Sequence, residues 1–264
     1  MDLELNGRVA IVTGGGSGIG KEVGRILSQE GCTVVLCARR MEPLEVAARE
    51  IGAQTGGQVA PLYCDTNDMA AVSTMVDSVI AQFGKVDILV NSAAAPSGVV
   101  RNDIEHAEDT ALLADLNTKV IGYFRCAKAV SAHMRQAGFG RIINIGGLTG
   151  RASKVISGMR NLAVAHLTKT LSDQLGPDGI TVNLIHPGVV ETPHIHELYE
   201  REAAKQGKSV PEIKQGYIDA TPVRRILDAQ EIGWLVAFLS SPKSAAITGE
   251  SIGIDGGLSR GIFL

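Results

Sequence analysis

Val9-Ala10-Ile11-Val12-Thr13 runs without a break into Gly14-Gly15-Gly16-Ser17-Gly18-Ile19-Gly20, and then into Val23, Ile26 and Leu27 at helical spacing. The first five residues form a short apolar run, the pattern of a strand buried on both faces of a parallel sheet. The glycines permit positive φ and let another backbone or a ligand come close. The helix that follows offers free N–H groups and a partial positive charge at its N-terminus, a setting for a pyrophosphate. A plain turn does not need so many glycines before a helix start. Strand, glycine-rich turn and helix in that order are what a dinucleotide-binding turn requires. We therefore expect Thr13, Gly14, Gly16, Ser17, Gly18, Ile19 and Gly20 to hold a dinucleotide.

The same alternation continues to the end of the chain. Further strands are expected at 33–37, Val59–Tyr63, 86–90, 141–145, 180–185 and Ser251–Ile254. Helical spacing covers 42–51, Met69–Phe83, 111–138 with a bend near its middle, 158–175 and 229–239. Alternating strands and helices imply a parallel sheet with right-handed crossovers and helices on both faces. The expectation is a single doubly wound α/β domain over residues 1–264. Residues 189–225 are charged, helix-prone and out of rhythm. They follow the sixth strand, at the sheet edge where ligands bind in such folds, so they read as a lid-like substrate segment.

Composition narrows the function classes. The 264 residues are 45% hydrophobic and 20% charged, which suits one large globular core. Net charge is −3 and the cations are scattered, so no footprint for nucleic acid is expected. No apolar stretch is long enough to span a membrane. The opening Met1-Asp2-Leu3-Glu4 is acidic where a secretory leader is basic, which favours a cytoplasmic protein. Cys32, Cys37, Cys64 and Cys126 match no zinc or redox spacing and read as reduced core thiols; no metal site is expected.

Thr13, Gly14, Gly18 and Gly20 spell Thr-Gly-x-x-x-Gly-x-Gly. Asp65 follows the third strand, Asn91-Ser92-Ala93-Ala94 the fourth, and Pro187-Gly188 and Thr192 the sixth, with Asn183 inside it. Ile254-Asp255-Gly256-Gly257 closes the last strand. On these marks the chain resembles the short-chain dehydrogenases/reductases over nearly its whole length. The resemblance implies a nicotinamide cofactor, with Asp65 on adenine, Asn91 in the segment after the fourth strand, and Pro187, Gly188 and Thr192 beside the nicotinamide. It also implies a homo-oligomer, a dimer or tetramer, built through residues 229–239 and the last strand. The second strand ends Cys37-Ala38-Arg39-Arg40. No acid stands where NAD sites place one for the ribose 2′-OH, and a forked guanidinium suits a 2′-phosphate. NADP(H) is expected on Arg39 and Arg40; NAD(H) is the alternative if both arginines are merely solvated.

The resemblance fails at the catalytic positions. The family usually carries Asn, Ser, Tyr and Lys, with Tyr and Lys four apart on one helix face so that the ammonium lowers the phenol's pKa. Registered on 167–171 and 180–183, the Tyr position is Ser157 and the Lys position Asn161. The Ser position is Gly147, the Asn position is Lys119, and the segment from Gly147 to Ser157 is short for the family. Lys119 and Asn161 look like an exchange of the usual Asn and Lys, which would keep a lysine in the site from the other helix. The competing reading is an ordinary solvated lysine. Asn117 is a second match for the Asn, but two residues along a helix points elsewhere. Arg160, His194, His196 and Tyr199 are further candidates: arginine only to bind an anion, since it stays protonated, and histidine because it titrates near neutrality. Ser157 has no neighbouring His or Asp in sequence to make it a nucleophile. The expected function is an NADP(H)-dependent oxidoreductase acting on a small carbonyl, alcohol or activated C=C or C=N substrate. The rivals are an NADP(H)-binding protein without redox catalysis and a non-redox lyase or isomerase on the same scaffold.

Overall fold

Five consecutive buried residues, Val9–Thr13, form β1, an interior strand of the computed structural model, which describes residues 1–94, 100–101, 103–151 and 155–261. Parallel partners flank it: β2 (Thr33–Ala38) from Val9↔Thr33 to Thr13↔Cys37, and β4 (Ile88–Asn91) from Ala10↔Ile88 to Thr13↔Asn91. With β3 (Val59–Tyr63), β5 (Gly140–Ile145), β6 (Ile180–Pro187) and β9 (Ser251–Ile254), they make a seven-stranded sheet in the order β3-β2-β1-β4-β5-β6-β9. Every pairing is parallel. Pro61 is accommodated because β3 is an edge strand, where a missing N–H costs no ladder bond.

Both faces of the sheet are covered, which is why β1 carries no polar alternation. Ala10 and Val12 pack on the side of α1 (Gly18–Gln29), α2 (Met41–Thr55) and α9 (Ala229–Ser240), against Val23, Leu27, Leu44, Ile232 and Val236. Val9 and Ile11 pack on the other side, with Val72 and Val76 of α3 (Met69–Phe83) and Cys126 and Val130 of α5 (Gly122–Ala137). All four cysteines are buried.

The helical stretch expected at 111–138 is interrupted. α4 (Asp109–Leu116) passes through a single π turn, Asn117–Ile121, into α5. Such insertions re-aim side chains and recur at functional sites. α6 (Met159–Leu175) packs against β6. Strand ends differ slightly from expectation. β4 starts at Ile88 rather than residue 86, and β6 continues through Pro187 because Pro187 still pairs with Ile254.

Residues 189–225 fold as α7 (Pro193–Gln206) and α8 (Val210–Ala220), between β7 (Val190–Glu191) and β8 (Leu227–Asp228), which pair with each other. Ile195, Tyr199, Ala203 and Ile213 form a small core of their own. Ser209 and Glu212 close a capping box at the start of α8. Among the described residues no helix is long and apolar enough to cross a membrane.

Candidate functional site

Strand order reverses between β1 and β4, and a crevice opens at the carboxyl ends of such a pair. Thr13 closes its floor: its buried hydroxyl accepts from Ser92 N at 3.0 Å and Ala93 N at 3.1 Å. Gly14 adopts φ +70°, and a Cβ there would stand 3.0 Å from the Ala93 backbone. Gly20 faces the Gly14 carbonyl, 2.3 Å from where its Cβ would be, so α1 can dock directly on the turn. Ser17 is the N-cap of α1 but makes no side-chain cap, and the first turn holds no acid. The N–H groups there are left for a ligand. Gly16, Ser17, Gly18 and Lys21 line an open groove together with Glu191, Thr192 and Pro193 from the start of the lid. Ile19 packs from the first turn of α1 onto the core beneath.

The other dinucleotide candidates stand along the same edge. Arg39 and Arg40 are exposed just beyond β2. Asp65 follows β3, its Oδ1 accepting from Asn67 N at 3.0 Å. Asn91 ends β4 with its Nδ2 donating to Asn144 Oδ1 at 2.9 Å, while its own buried Oδ1 has no protein partner among the described residues. Pro187 ends β6, and Gly188 follows because a Cβ would sit 2.7 Å from Asp255 Cα. Thr192 caps α7, its methyl 3.7 Å from where a Gly18 Cβ would lie. Positive φ at Gly14, orphaned N–H groups, a buried orphan acceptor and two free-standing guanidiniums fit an anionic dinucleotide.

At the far end of the crevice the π turn and α6 converge on the turn after β5. Lys119 is not a solvated lysine: it is 4% exposed, and its Nζ donates to Gly146 O at 2.9 Å. Burial, reinforced by the Arg160 guanidinium, lowers its pKa to about 7 against the opposing pull of Asp115. Asn161 is buried, donates from Nδ2 to Thr149 Oγ1 at 2.7 Å, and leaves Oδ1 unpaired. Its Nδ2 is 3.1 Å from where a Gly147 Cβ would stand. His186 Nδ1 lies 3.2 Å from Gly147 N and 2.9 Å from Gly147 O, bonding one or the other according to its tautomer. Gly150 and Gly158 let this turn press onto α6; a Cβ would meet Asn161 Cβ at 2.8 Å and Thr149 O at 2.4 Å respectively.

Lys119, Gly147 and Asn161 are thus brought together, the lysine from the helix opposite to the family's usual one. Ser157 lies half-buried in the 3-10 turn Ile156–Gly158 that leads into α6. Residues 152–154 of the short segment before it lie outside the described residues. Asn117 is turned away, donating to Asn67 Oδ1 and accepting from Arg125, each at 3.0 Å. Arg160 is paired with Asp115. His194 faces Glu197 and His196 faces Glu191 on the exposed side of α7. Tyr199 is packed into the lid core, where burial and then the Glu191 charge push its pKa up to about 12. Sequence reasoning missed Thr149 and Asp115. The only local signal for Asp115 is its position four residues before Lys119.

Comparison with known proteins follows the same line. The family model described as Enoyl-(Acyl carrier protein) reductase matches residues 14–259. The short-chain reductase protein NovJ of Streptomyces niveus is 35% identical over 259 residues, 94% of this chain and 93% of that one. The NADPH-dependent reductase BacG of Bacillus subtilis is 30% identical, covering 98% of this chain and 100% of its own. The crystal structure of actinorhodin polyketide ketoreductase with NADPH superposes with a TM-score of 0.90 at 32% identity, over 96% of this chain and 98% of that one.

Proposed function

We propose that this chain, which belongs to the short-chain dehydrogenase/reductase family, is an NADP(H)-dependent reductase of small carbonyl compounds in which Lys119 supplies the proton. The glycine turn from Gly14 to Gly20 would hold the pyrophosphate, with Arg39 and Arg40 on the 2′-phosphate and Asp65 on the adenine. Asn91, Pro187, Gly188 and Thr192 would border the nicotinamide half. Bound there, NADPH supplies a hydride to the carbonyl carbon.

The protein's own part is to orient the carbonyl and manage one proton. Lys119 spends one N–H on Gly146 O and, among the described residues, keeps two others. As negative charge grows on the substrate oxygen, Nζ donates a proton to it, leaving a neutral amine that solvent recharges. A group titrating near the working pH is suited to that exchange. Asn161 Nδ2, 3.1 Å from where a Gly147 Cβ would stand, gives the substrate oxygen a polar seat in the place a serine side chain would take. Thr192 and Pro193, at the start of α7, border the same groove as the glycine turn.

The observation that carries this reading is the buried Lys119 ammonium at Gly146, one residue from the position of the family's serine. The test is NADPH consumption with a panel of ketones, aldehydes, enones and imines. Stoichiometric NADPH oxidation with a ketone or aldehyde is expected. Tight NADPH binding with no turnover of any member would refute it. Association through α9 and β9 is part of the proposal, since Trp234 on α9 is 54% exposed. A monomer by light scattering at working concentrations would remove that part.

A further inference from the structure

Asp115 stands in the last turn of α4 and Lys119 in the π turn that follows. Arg160 comes from α6, beside Asn161 in sequence. Arg160 Nη1 donates to Asp115 Oδ1, with side chains 13% and 1% exposed. With side chains this buried the pair has lost much of its hydration, and removing either partner would leave an uncompensated charge. This one is also incomplete: Arg160 Nε and Asp115 Oδ2 are buried without a protein partner among the described residues.

Lys119 is the third ionisable group of the cluster. Among the described residues its hydrogen bond is to a carbonyl oxygen, not a carboxylate. The other groups around it are spoken for: Tyr123 on α5 donates to Ile145 O, and His186 on β6 lies against Gly147. Among the described residues, the charges that face Lys119 are Asp115, four residues before it, and Arg160 from α6. We propose that the Asp115–Arg160 pair is a positioning pair for Lys119, tying α4 to α6 across the π turn so that Nζ is delivered to Gly146 O, and setting the charge on that amine with one fixed anion and one fixed cation. The inference rests on Lys119 working in the site, as proposed above. The two members act in opposite senses, Arg160 against the ammonium and Asp115 in its favour.

The opposition makes the test sharp. In the full chain, the Lys119 titration is followed by NMR of labelled lysine side chains, with Lys119→Met identifying the signal. NADPH oxidation is measured against pH in parallel. Arg160→Met leaves the carboxylate alone beside Lys119 and is expected to raise its midpoint by about one pH unit or more. Asp115→Asn leaves the guanidinium alone and is expected to lower it by a similar amount. Arg160→Lys keeps the cation and is expected to restore the midpoint to the wild-type side of Arg160→Met, which carries the test if a single charge removal does not fold. Midpoints that do not move, that move in the same direction in both single variants, or that shift equally in Arg160→Lys and Arg160→Met overturn the proposal. If the NMR midpoints move as expected while the pH limb of kcat stays still, the pair does position Lys119, and the role of Lys119 as proton donor is what fails.

Discussion

Lys119 is joined to Gly146 by a 2.9 Å hydrogen bond from a side chain that is 4% exposed, so a lysine that could have been solvated is instead drawn into the turn after β5. Its depressed pKa makes a statement about stability as well as chemistry. The folded value is about 7 against an ordinary lysine value of 10.5, so between those values the unfolded chain binds more protons than the folded one. Stability therefore rises as pH rises through that window, and the penalty is full below about pH 7. Lys119→Met should be more stable than wild type at neutral pH by on the order of 1–4 kcal/mol. The gain should shrink as pH climbs toward 10.5. Urea unfolding at neutral and alkaline pH checks the sign; a Met variant that is less stable at neutral pH would show that Lys119 is not a strained cation.

Gly14 needs its glycine twice over, for φ +70° and for the Ala93 backbone 3.0 Å from a would-be Cβ. Gly14→Ala should cost about 1–2 kcal/mol from the left-handed backbone alone, with more from displacing Ala93. NADPH affinity, read by fluorescence titration, should fall by about tenfold or more as the turn shifts. Unchanged affinity would remove the turn from the binding site.

Arg39 and Arg40 are exposed and have no structural task to lose. Replacing both with Ala should leave the unfolding midpoint in place. It should weaken NADPH binding by about ten- to a hundredfold, the loss of one charge-assisted bond to a phosphate worth about 1.5–3 kcal/mol in all, and leave NADH binding nearly unchanged. Equal losses for both coenzymes would contradict a 2′-phosphate seat.

Gly188 is followed by the lid and backed by Asp255, whose Cα lies 2.7 Å from a would-be Cβ. Gly188→Ala must push the β6 turn and the Asp255-Gly256-Gly257 turn apart. Both thermal stability and NADPH affinity are expected to fall together. A variant that loses neither would separate this contact from the site.

The glycine turn was legible because its demands are written in residue type. Positive φ at Gly14 and Gly18 and the close approach of Gly20 to the Gly14 carbonyl each require the residue found. The parallel, doubly wound sheet followed from the strict alternation of apolar runs and helical spacing. The reaction end was legible only in outline. Register set Lys119, Gly147 and Asn161 at the family's Asn, Ser and Lys positions, but nothing local marks a π turn, and burial of Lys119 depends on how α4 and α6 pack. Thr149 and Asp115 escaped because their partners, Asn161 and Arg160, lie 12 and 45 residues away in sequence. A threonine after a strand and an acid on a helix are ordinary until those contacts form.

The most direct measurement is kcat for NADPH-dependent carbonyl reduction by Lys119→Gln against wild type, with NADPH affinity measured on the same samples. Loss of a positioned proton donor predicts a fall in kcat of about 10²–10⁴-fold with NADPH affinity held, and a wild-type kcat that declines as pH rises through about 7. A Gln variant that keeps its kcat, with the same pH profile, would contradict Lys119 as the source of the proton.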